Sequence, residues 1–443
     1  MLGEYRIEGR GAAEIAASVE RAVGAGALEP GQLLPPMREL ATRLGVNPHT
    51  VAAAYRTLRE RGVIETAGRR GSRIRPKPAT TARDLLAVDV PAGVRDLADG
   101  NPDPALLPLL APALAAVAAE ADRQPVLYGG DPVEPELARI ARAALDADGV
   151  PAGPLAVVSG ALDAIERVLA AHLRPGDVVA VEDPGWGRIS DLAPALGLRT
   201  APVGVDDEGP LADDLRNALE SGARAVVVTS RAQNPTGAAV SAPRARALSD
   251  VLRGHPRTLL IEDDHGHGIV DLPLHPLAGA THHWAFVRSV AKAYGPDLRL
   301  AVLAGDPVTV DRVRGRQRLG PGWVSLLLQR TVVRLWADGA VDGAAVAAAY
   351  RSRRELLAAA LAERGVPSHG RSGMNLWVPV PDETGAVARL LHAGWAVAPG
   401  ARFRLSAPPG IRITVSTLTP EETAPLADAV AAALLPRRPG SYV

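Results

Sequence analysis

From about residue 150 onward, short runs of β-branched and aliphatic residues alternate with longer stretches of helical periodicity. The runs LAVVSG, VVAVED, AVVVTS and TLLIEDD are apolar, and each ends in polar residues or glycine. Between them lie segments such as LDAIERVLAAHL and APRARALSDVL, in which apolar residues recur at helical spacing. Alternation of strands and helices predicts an α/β fold around a mainly parallel sheet, with ligands at the carboxyl ends of the strands.

At 443 residues the chain is too long for one ordinary domain, and 47% hydrophobic with 22% charged residues is typical of a soluble globular protein. It contains no cysteine, which excludes disulfides, thiolate catalysis and cysteine zinc sites and fits a reducing cytoplasm. The N-terminal stretch MLGEYRIEGR lacks the apolar core of a signal peptide. The most apolar run, LLPLLAPALAAVAA, is too short to span a bilayer and predicts a loop followed by a buried helix. We therefore expect a cytoplasmic protein without a membrane segment.

The segment from Arg38 to Lys77 is strongly basic within a chain of zero net charge, because it holds ten lysines and arginines against three glutamates. Its first part predicts a short amphipathic helix that ends at Gly45 and has as its apolar residues Met37, Leu40, Ala41 and Leu44. Asn47 and Pro48 predict the start of a second helix, whose core-facing residues are Val51, Ala52, Tyr55 and Leu58. The stretch VIETAGRRGSRI then predicts a β-hairpin wing with a Gly-Arg-Arg-Gly tip. Helix, turn, helix and wing follow in the order of a DNA-binding domain.

The second helix has the dimensions to enter the major groove of DNA. Its N-terminal residues would then lie nearest the base edges, namely Asn47, His49 and Thr50. Arginines that would neutralise phosphates are Arg38 on the first helix and the wing residues Arg69 and Arg70. The alternative is a solvated helical hairpin with surface arginines.

The stretch from PGQLLPPMRELATRLGV to GRRGSRI resembles the winged-helix domain of the GntR family of bacterial transcription regulators, and a further helix at residues 13–23 precedes it. The resemblance implies that the protein binds an operator as a dimer. By motif position it suggests as DNA contacts Arg38, Thr50, Arg56 and the wing at Gly71. The proline-rich segment that follows, which contains Lys77, predicts a semi-rigid linker.

Lys292 is one of only two lysines in the chain, which has 47 arginines among its 49 lysines and arginines. A lysine amine can lose its proton and attack an aldehyde, which an arginine cannot usefully do. Near it, Arg299 offers a fork for a phosphate, Ser289 a hydroxyl, and Asp263 an acid that would keep a pyridine nitrogen protonated. An aldehyde with a phosphate and a flat ring is pyridoxal 5′-phosphate (PLP).

Other polar groups follow the predicted strands. Ser159 and Gly160 precede a helix, where free backbone N–H groups would hold a phosphate. Trp186 stands at a strand-end turn, either stacking on a flat ligand or filling a gap in the core. Asn234 begins the tetrapeptide NPTG. A metal site is an alternative use of the strand end IEDDHGHG, with as possible ligands Asp264, His265 and His267.

Residues 95 to 435 resemble the fold-type I PLP-dependent aminotransferases. The resemblance implies that Lys292 forms the Schiff base with PLP and that Asp263 pairs with the pyridine nitrogen. It implies that Asn234 bonds the ring hydroxyl and Trp186 stacks on the ring. The phosphate would be held by Ser159, Gly160, Ala161, Ser289 and Arg299, and by Tyr128 reaching over from a partner subunit. Arg412 in GIRITVSTL matches the arginine that binds the α-carboxylate of an amino acid.

The sequence departs from the aminotransferase pattern in three places. His265 stands where a tyrosine commonly donates to the cofactor oxygen, and a histidine there is able to donate but also to titrate near neutral pH. Ala291 replaces a serine or threonine, and the tripeptide ALD replaces a frequent glutamine pair after the phosphate glycine. These changes leave cofactor binding expected and put efficient transamination in doubt.

A winged helix joined to an aminotransferase-like domain is the architecture of the MocR-type regulators, a branch of the GntR family. The resemblance implies a winged helix-turn-helix at 1–77, a linker at 78–95 and a PLP-binding domain at 96–443, with a large subdomain at about 120–325 and a small α/β subdomain at about 330–443. It implies a head-to-tail homodimer that senses PLP or the aldimine of PLP with an amine or amino acid. The alternatives are a working aminotransferase with an accessory DNA-binding domain, and a regulator that has lost PLP. Physiological turnover stays open.

Overall fold

The computed structural model describes residues 7–24, 27–29, 31–60, 63–66, 71–74 and 90–435, which form two compact units. The first unit consists chiefly of residues 1–82, and the second contains most of the chain from residue 83 onward. In these described ranges no helix is long and apolar enough to cross a membrane. Most of the predicted linker, including Lys77, lies outside the described residues, so the domain boundaries stay a prediction.

The first unit is a three-helix fold with a small antiparallel hairpin. Its elements are α1 (Ala12–Gly24), α2 (Met37–Leu44), α3 (Pro48–Glu60), β1 (Ile64–Thr66) and β2 (Ser72–Ile74). Gly45 ends α2 in the left-handed conformation, with a φ of 65°. Asn47 caps α3, because its Oδ1 accepts the backbone N–H of His49 at 2.8 Å. The helix-turn-helix and the hairpin therefore form where the sequence predicts them.

The core of this unit lies between the three helices and the hairpin. Tyr55 is buried there, and its hydroxyl donates to the carbonyl of Pro35 at 2.8 Å. The predicted core residues Val51, Leu58 and Leu40 are also buried. Met37 departs from the prediction, since it is 42% exposed. It is the first residue of α2, where no preceding turn covers the side chain.

The second unit is built on an eight-stranded sheet, a three-stranded sheet and a two-stranded sheet. Its strands are β3 (Arg95–Asp96), β4 (Leu155–Val158), β5 (Val178–Asp183), β6 (Arg199–Asp206), β7 (Gly209–Pro210), β8 (Ala223–Thr229), β9 (Leu259–Asp264), β10 (His283–Ser289), β11 (Ala301–Gly305), β12 (Asn375–Pro379), β13 (Trp395–Ala396), β14 (Ala398–Pro399) and β15 (Gly410–Thr414). The order in the large sheet is β4-β11-β10-β9-β8-β5-β6-β7. β8, β9 and β10 run parallel, and β11 is antiparallel to both of its neighbours. The predicted mainly parallel α/β sheet is confirmed.

The second unit also contains helices. They are α4 (Ala111–Ala121), α5 (Pro135–Ala147), α6 (Ala161–His172), α7 (Gly187–Ala195), α8 (Ala212–Glu220), α9 (Ala242–Gly254), α10 (Ala291–Tyr294), α11 (Pro307–Arg318), α12 (Leu326–Ala337), α13 (Gly343–Glu363), α14 (Glu383–His392) and α15 (Pro420–Leu434). The side chains of Ser241 and Asp306 cap α9 and α11 by accepting backbone N–H groups. The prediction of a buried helix in the most apolar run is wrong for α4. Only Ala113 and Val117 are buried there and Leu114 is 41% exposed, because α4 packs mainly with one face against α12.

The C-terminal part forms a smaller layer of sheet and helix. The antiparallel sheet β12-β15-β14 packs against α13, α14 and α15. Its core includes Leu357, Leu376, Ile413 and Leu426. β15 is buried along its whole length and carries Arg412.

Candidate cofactor and effector site

A cavity of about 280 Å³ opens at the carboxyl ends of the strands in the second unit. The sheet places the site residues there because Asp263 lies near the end of β9 and Ser289 at the end of β10. The predicted residues that line the cavity are Gly160, Ala161, Trp186, Asn234, Asp263, His265, Ser289, Lys292, Arg299 and Arg412. Their cofactor roles stay predictions, but the fold brings them together.

Lys292 lies in α10, and its Nζ donates to the carbonyl of Gly100 at 2.6 Å. Burial, followed by the positive charge of Arg412, lowers the pKa of Lys292 to about 8, although the Asp263 carboxylate opposes the shift. A substantial fraction of this amine is therefore neutral at slightly alkaline pH. A neutral amine is the form that attacks an aldehyde.

The buried Asp263 pairs with the half-buried His265 beside Lys292. Asp263 Oδ2 lies 3.0 Å from His265 Nδ1. The other oxygen, Oδ1, is buried and has no hydrogen-bond partner among the residues that the structure describes. His265 Nε2 lies 2.9 Å from the carbonyl of Ala232. Both ring nitrogens thus face acceptors within the protein, and a direct hydrogen bond from His265 to the cofactor stays a prediction.

The predicted phosphate end of the cavity combines Gly160 with Arg299. Arg299 Nη2 donates to the carbonyl of Ser159 at 2.8 Å. Gly160 has a φ of +96°, and a Cβ at this position would lie 3.2 Å from the Arg299 guanidinium. Only glycine therefore fits both the backbone conformation and the arginine.

The backbone at this end differs from the prediction of free N–H groups. The Ser159 N–H donates to Asp163 Oδ2, and the Gly160 N–H donates to the Val158 carbonyl, both at 2.9 Å. Ser159 is not among the residues that line the cavity. The Ser159 N–H is occupied because the Asp163 carboxylate lies at the N-terminus of α6, where an anion is favoured. Sequence reasoning noted the tripeptide ALD but not this contact.

Two loops hold the residues expected at the ring. Asn234 Oδ1 accepts a hydrogen bond from Arg412 Nη1 at 3.1 Å. Gln233, which precedes it, is fully buried, and its amide donates to Glu182 Oε2 at 3.1 Å and to the Pro184 carbonyl at 2.8 Å. Gln233 therefore ties the Asn234 loop to the loop that carries Trp186. In the sequence, only its place next to NPTG marks Gln233, so its role was not predicted.

A second cavity of about 390 Å³ adjoins the first and shares with it Gly100, Trp186, Arg188, Asn234, Lys292 and Arg412. Its further lining includes Arg402 and Asp99. Arg412 also stacks on Phe403, with its Cζ 4.8 Å from the ring centre. Cationic side chains outnumber acidic ones on these walls, so the space suits a small carboxylated molecule. No sequence motif marks Arg188, Arg402 or Gly100.

Tyr128 lies away from both cavities. It is 92% exposed, and its ring meets the edge of Trp323 at 5.7 Å. The alternative metal site does not form in the described part of the chain, where no cluster of three ligating side chains occurs. Asp264 instead forms a bidentate salt bridge with Arg231.

In the first unit, the predicted DNA-contacting residues lie on the two helices and the wing. Arg38, Asn47, His49 and Arg56 are exposed and Thr50 is half-buried. Gly71, also exposed, precedes β2 with a φ of 95°. Arg69 and Arg70 lie outside the described residues.

Two family models match the chain. The model "Aminotransferase class I and II" matches residues 96–430, and "Bacterial regulatory proteins, gntR family" matches residues 12–74. The chain is 43% identical over 427 residues to the vitamin B6 salvage pathway transcriptional repressor PtsJ of Salmonella typhimurium. The aligned region covers 95% of this chain and 98% of PtsJ. The chain belongs to the MocR-type regulators of the GntR family. This MocR-type chain is also 30% identical over 274 residues to the pyridoxine biosynthesis transcriptional regulator PdxR of Corynebacterium glutamicum, covering 60% and 59% of the two proteins.

Solved structures show the same fold for the larger part of this MocR-type regulator. The kynurenine aminotransferase of Pyrococcus horikoshii superimposes with a TM-score of 0.69 at 19% identity, covering 80% of this chain and 96% of that one. The α-aminoadipate aminotransferase LysN of Thermus thermophilus gives 0.68 at 22% identity, covering 81% and 96%. The likeness confirms the fold-type I aminotransferase fold.

Proposed function

We propose that this MocR-type regulator binds operator DNA through its winged helix and responds to PLP, alone or joined to an amine or amino acid, in its aminotransferase-like domain. The observation that carries the proposal is the buried pair of complementary groups in one cavity. Lys292 has a pKa of about 8, and Asp263 Oδ1 has no protein partner among the described residues. These are the groups that an aldehyde and a pyridine nitrogen require.

The remaining residues fit the same cofactor. Trp186 and Asn234 would hold the ring, while Gly160, Ala161, Ser289 and Arg299 would hold the phosphate. When bound, PLP supplies an aldehyde and an electron-accepting ring. The protein positions that ring, holds the proton at Lys292 and offers Arg412 to a carboxylate. Asp163 would repel a phosphate that approaches too near the start of α6, so Arg299 would carry most of its charge.

The regulated genes are proposed from the relatives. PtsJ is described as a repressor of vitamin B6 salvage, and PdxR as a regulator of pyridoxine biosynthesis. We propose that this protein likewise controls genes of vitamin B6 supply in the bacterial cytoplasm. A regulator of vitamin B6 supply would benefit from sensing PLP, the product of that supply, and PLP is the ligand proposed for this cavity.

We propose a head-to-tail homodimer, in which Tyr128 reaches the partner subunit's phosphate. The support is the exposure of Tyr128 and of two apolar residues, Leu127 and Leu109, which are 75% and 84% exposed. Exposed apolar residues of this size mark a surface that another chain covers.

A second candidate function is aminotransfer, because a lysine with a pKa of about 8 is also suited to act as a general base. Single-turnover mixing of the PLP-loaded protein with amino acids separates the two. Steady conversion of amino acids supports the enzyme, and spectral change without turnover supports the regulator.

The decisive experiment measures near-visible absorbance and operator affinity of the same protein with and without PLP. We expect an absorbance band in the wild type that is lost in Lys292→Ala and in the charge-preserving Lys292→Arg. Operator affinity should change with PLP in the wild type only. An absorbance band that persists in Lys292→Arg would contradict the assignment of this lysine.

A further inference from the structure

The backbone of residues 98–100 lies against two cations of the cavity. Lys292 Nζ donates to the carbonyl of Gly100 at 2.6 Å, and Arg412 Nη2 donates to the carbonyl of Ala98. Gly100 lines both cavities, and a Cβ at this position would lie 3.2 Å from Arg412 Nη1, so the lack of a side chain permits the close approach. The two groups proposed for an aldehyde and a carboxylate therefore hold one short segment of backbone.

The same segment leads directly back to the predicted linker, which ends at residue 95. Between them lies β3, which pairs in parallel with β13. The N–H of Leu97 donates to the Ala396 carbonyl, and the N–H of Thr414 donates to the Leu97 carbonyl, both at 2.9 Å. Residues 98–100 are thus held by the C-terminal layer on one side and by the two cations on the other. A change at Gly100 would lie a few residues of chain from the end of the linker.

Capture of an aldehyde removes the donor that Gly100 uses. A neutral amine has two hydrogens, and when its nitrogen forms a double bond to the aldehyde carbon, both hydrogens leave with the aldehyde oxygen as water. The product nitrogen has no hydrogen when neutral and one when protonated, and the ring oxygen of PLP competes for that one. Because Gly100 is half-buried at a cavity wall, water can take the place of Lys292 at its carbonyl.

We propose that residues 98–100 report capture of the ligand to the linker, because Lys292 holds them through the Gly100 carbonyl while its amine is free and releases them once the amine is taken up. The inference rests on the proposed binding of PLP and deepens it, since it names the contact through which binding alters the affinity for DNA. A contact biases an equilibrium between two states only if its energy differs between them, and the number of hydrogens on Lys292 Nζ meets that condition. A carboxylate bound to Arg412 would weaken the second contact, at Ala98.

The test compares two variants that both lose the ability to capture an aldehyde. Lys292→Met has no donor for the Gly100 carbonyl, so residues 98–100 should be released permanently. Lys292→Arg keeps N–H donors, so the segment should stay held. We expect PLP to change the operator affinity of the wild type by about 5- to 150-fold. Without PLP, Lys292→Met should bind the operator as the PLP-loaded wild type does, and Lys292→Arg as the wild type does without PLP, by fluorescence anisotropy. Lys292→Leu replaces Lys292→Met if that variant folds poorly.

Hydrogen exchange of the peptide that spans residues 97–103 gives a readout independent of DNA. We expect PLP to speed exchange in this peptide by about tenfold or more in the full-length wild type, and Lys292→Met to show the fast rate without PLP. The sign is diagnostic, because a ligand that merely filled the cavity would slow the exchange of the backbone around it.

The matched control is Arg314→Met. Arg314 is half-buried like Lys292, and its Nη2 donates to the carbonyl of Leu155, also at 2.6 Å. Leu155 is the first residue of β4, and the opposite end of that strand leads to the cavity. The variant therefore removes a cation from a backbone carbonyl at a distance from the ligand. Its operator affinity and the exchange of residues 97–103, with and without PLP, should match the wild type.

The outcomes separate this inference from the function on which it rests. If PLP shifts operator affinity in the wild type but Lys292→Met binds like the wild type without PLP, or Lys292→Arg shifts as far as Lys292→Met, the segment is not the reporter and PLP sensing stands. Slower or unchanged exchange of residues 97–103 with PLP has the same meaning. A wild type whose near-visible absorbance and operator affinity both ignore PLP overturns the inference and the function together. Fast exchange and PLP-like operator affinity in Lys292→Met, with neither in Lys292→Arg or Arg314→Met, supports the inference.

Discussion

At the residue scale, the site depends on which buried groups carry charge. Lys292, Arg412, His265 and the carboxylate of Asp263 line one cavity, in which Asp263 and Arg412 are buried and the other two are half-buried. Like charges held this close shift each other's pKa values, and each shift changes what the group can do.

The first prediction concerns the rate at which the protein captures PLP. Below its pKa of about 8 Lys292 is an ammonium ion, so the rate should rise about tenfold per pH unit and then level off above 8. If Lys292 had the ordinary pKa of a lysine, the rate of PLP capture would still be rising at about pH 10. The measurement is stopped-flow absorbance from pH 6.5 to 9.5. Arg412→Leu removes a neighbouring positive charge and should move the plateau to higher pH; an unmoved plateau would exclude Arg412 as a cause.

The second prediction concerns Gly160. Alanine at a φ of +96° strains the backbone by about 1 to 2 kcal/mol, and its Cβ would press on Arg299. We expect Gly160→Ala to weaken PLP binding by about tenfold or more in a fluorescence titration. Gly222→Ala is the control, because Gly222 has a φ of +97° and open space around it. Equal loss of affinity in both variants would show that general destabilisation, not the phosphate end, is responsible.

At the element scale, the two loops after β5 and β8 act as one support for the ring. Gln233 joins them through its amide, and its Oε1 accepts the N–H and the hydroxyl of Thr236 at 3.0 and 2.6 Å. All of these bonds are buried, so each lost partner leaves a polar group unsatisfied.

The third prediction follows from that network. Gln233→Met should lower the free energy of unfolding by roughly 2 to 4 kcal/mol and also weaken PLP binding, since Trp186 and Asn234 lose their common support. Gln329→Met is the control, because Gln329 is equally buried and bonds Glu134, Pro132 and Val324 far from the cavity. It should lose stability alone. Unchanged PLP affinity in Gln233→Met, by equilibrium dialysis, would count against the shared support.

The fourth prediction concerns α2. Arg38 is exposed on this helix and is expected to contact a DNA phosphate. Arg38→Ala should weaken binding to all sequences alike and reduce the slope of log affinity against log salt by about one. Arg253→Ala, which removes a similarly exposed arginine from α9, should leave the slope unchanged. Fluorescence anisotropy over a salt series measures both, and an unchanged slope for Arg38→Ala would remove it from the interface.

The sequence predicts these elements well where the signal is local. Gly45, Asn47 and the apolar spacing of α3 specify the helix-turn-helix, and the runs that became β4, β5, β8 and β9 specify the sheet. Contacts between distant segments leave no local signal. Gly100 bonds Lys292 across 192 positions, and the engagement of both His265 nitrogens depends on a carbonyl 33 residues earlier.

At the scale of the whole molecule, the C-terminal layer is bonded directly to the loops at the ring. Asp183, at the end of β5, accepts backbone N–H groups from Leu405, Ser406 and Ala407 and the Ser406 hydroxyl at 2.7 to 2.8 Å. Ser372 Oγ accepts the Ala232 N–H at 2.9 Å in the same region. A free hinge motion of this layer would break several buried hydrogen bonds. We therefore expect a ligand-dependent movement of this layer to alter these contacts.

The fifth prediction tests Asp183 as part of that change. In Asp183→Asn an amide NH₂ group replaces one carboxylate oxygen and faces the backbone N–H groups of loop 405–407, which are also donors. The loop should therefore detach, and its backbone N–H groups should exchange with solvent at least about tenfold faster. Lys292 and Arg299 are untouched in this variant, so it should still capture PLP. In the wild type we expect PLP to shift operator affinity by about 1 to 3 kcal/mol, roughly 5- to 150-fold, and in the variant this shift should be lost. Asp306→Asn is the control, a carboxylate that accepts the N–H groups of Trp284 and Thr309 within the large sheet layer. Its operator response should match the wild type. If loop 405–407 exchanges faster in Asp183→Asn and the operator still responds fully to PLP, the signal does not pass through the C-terminal layer.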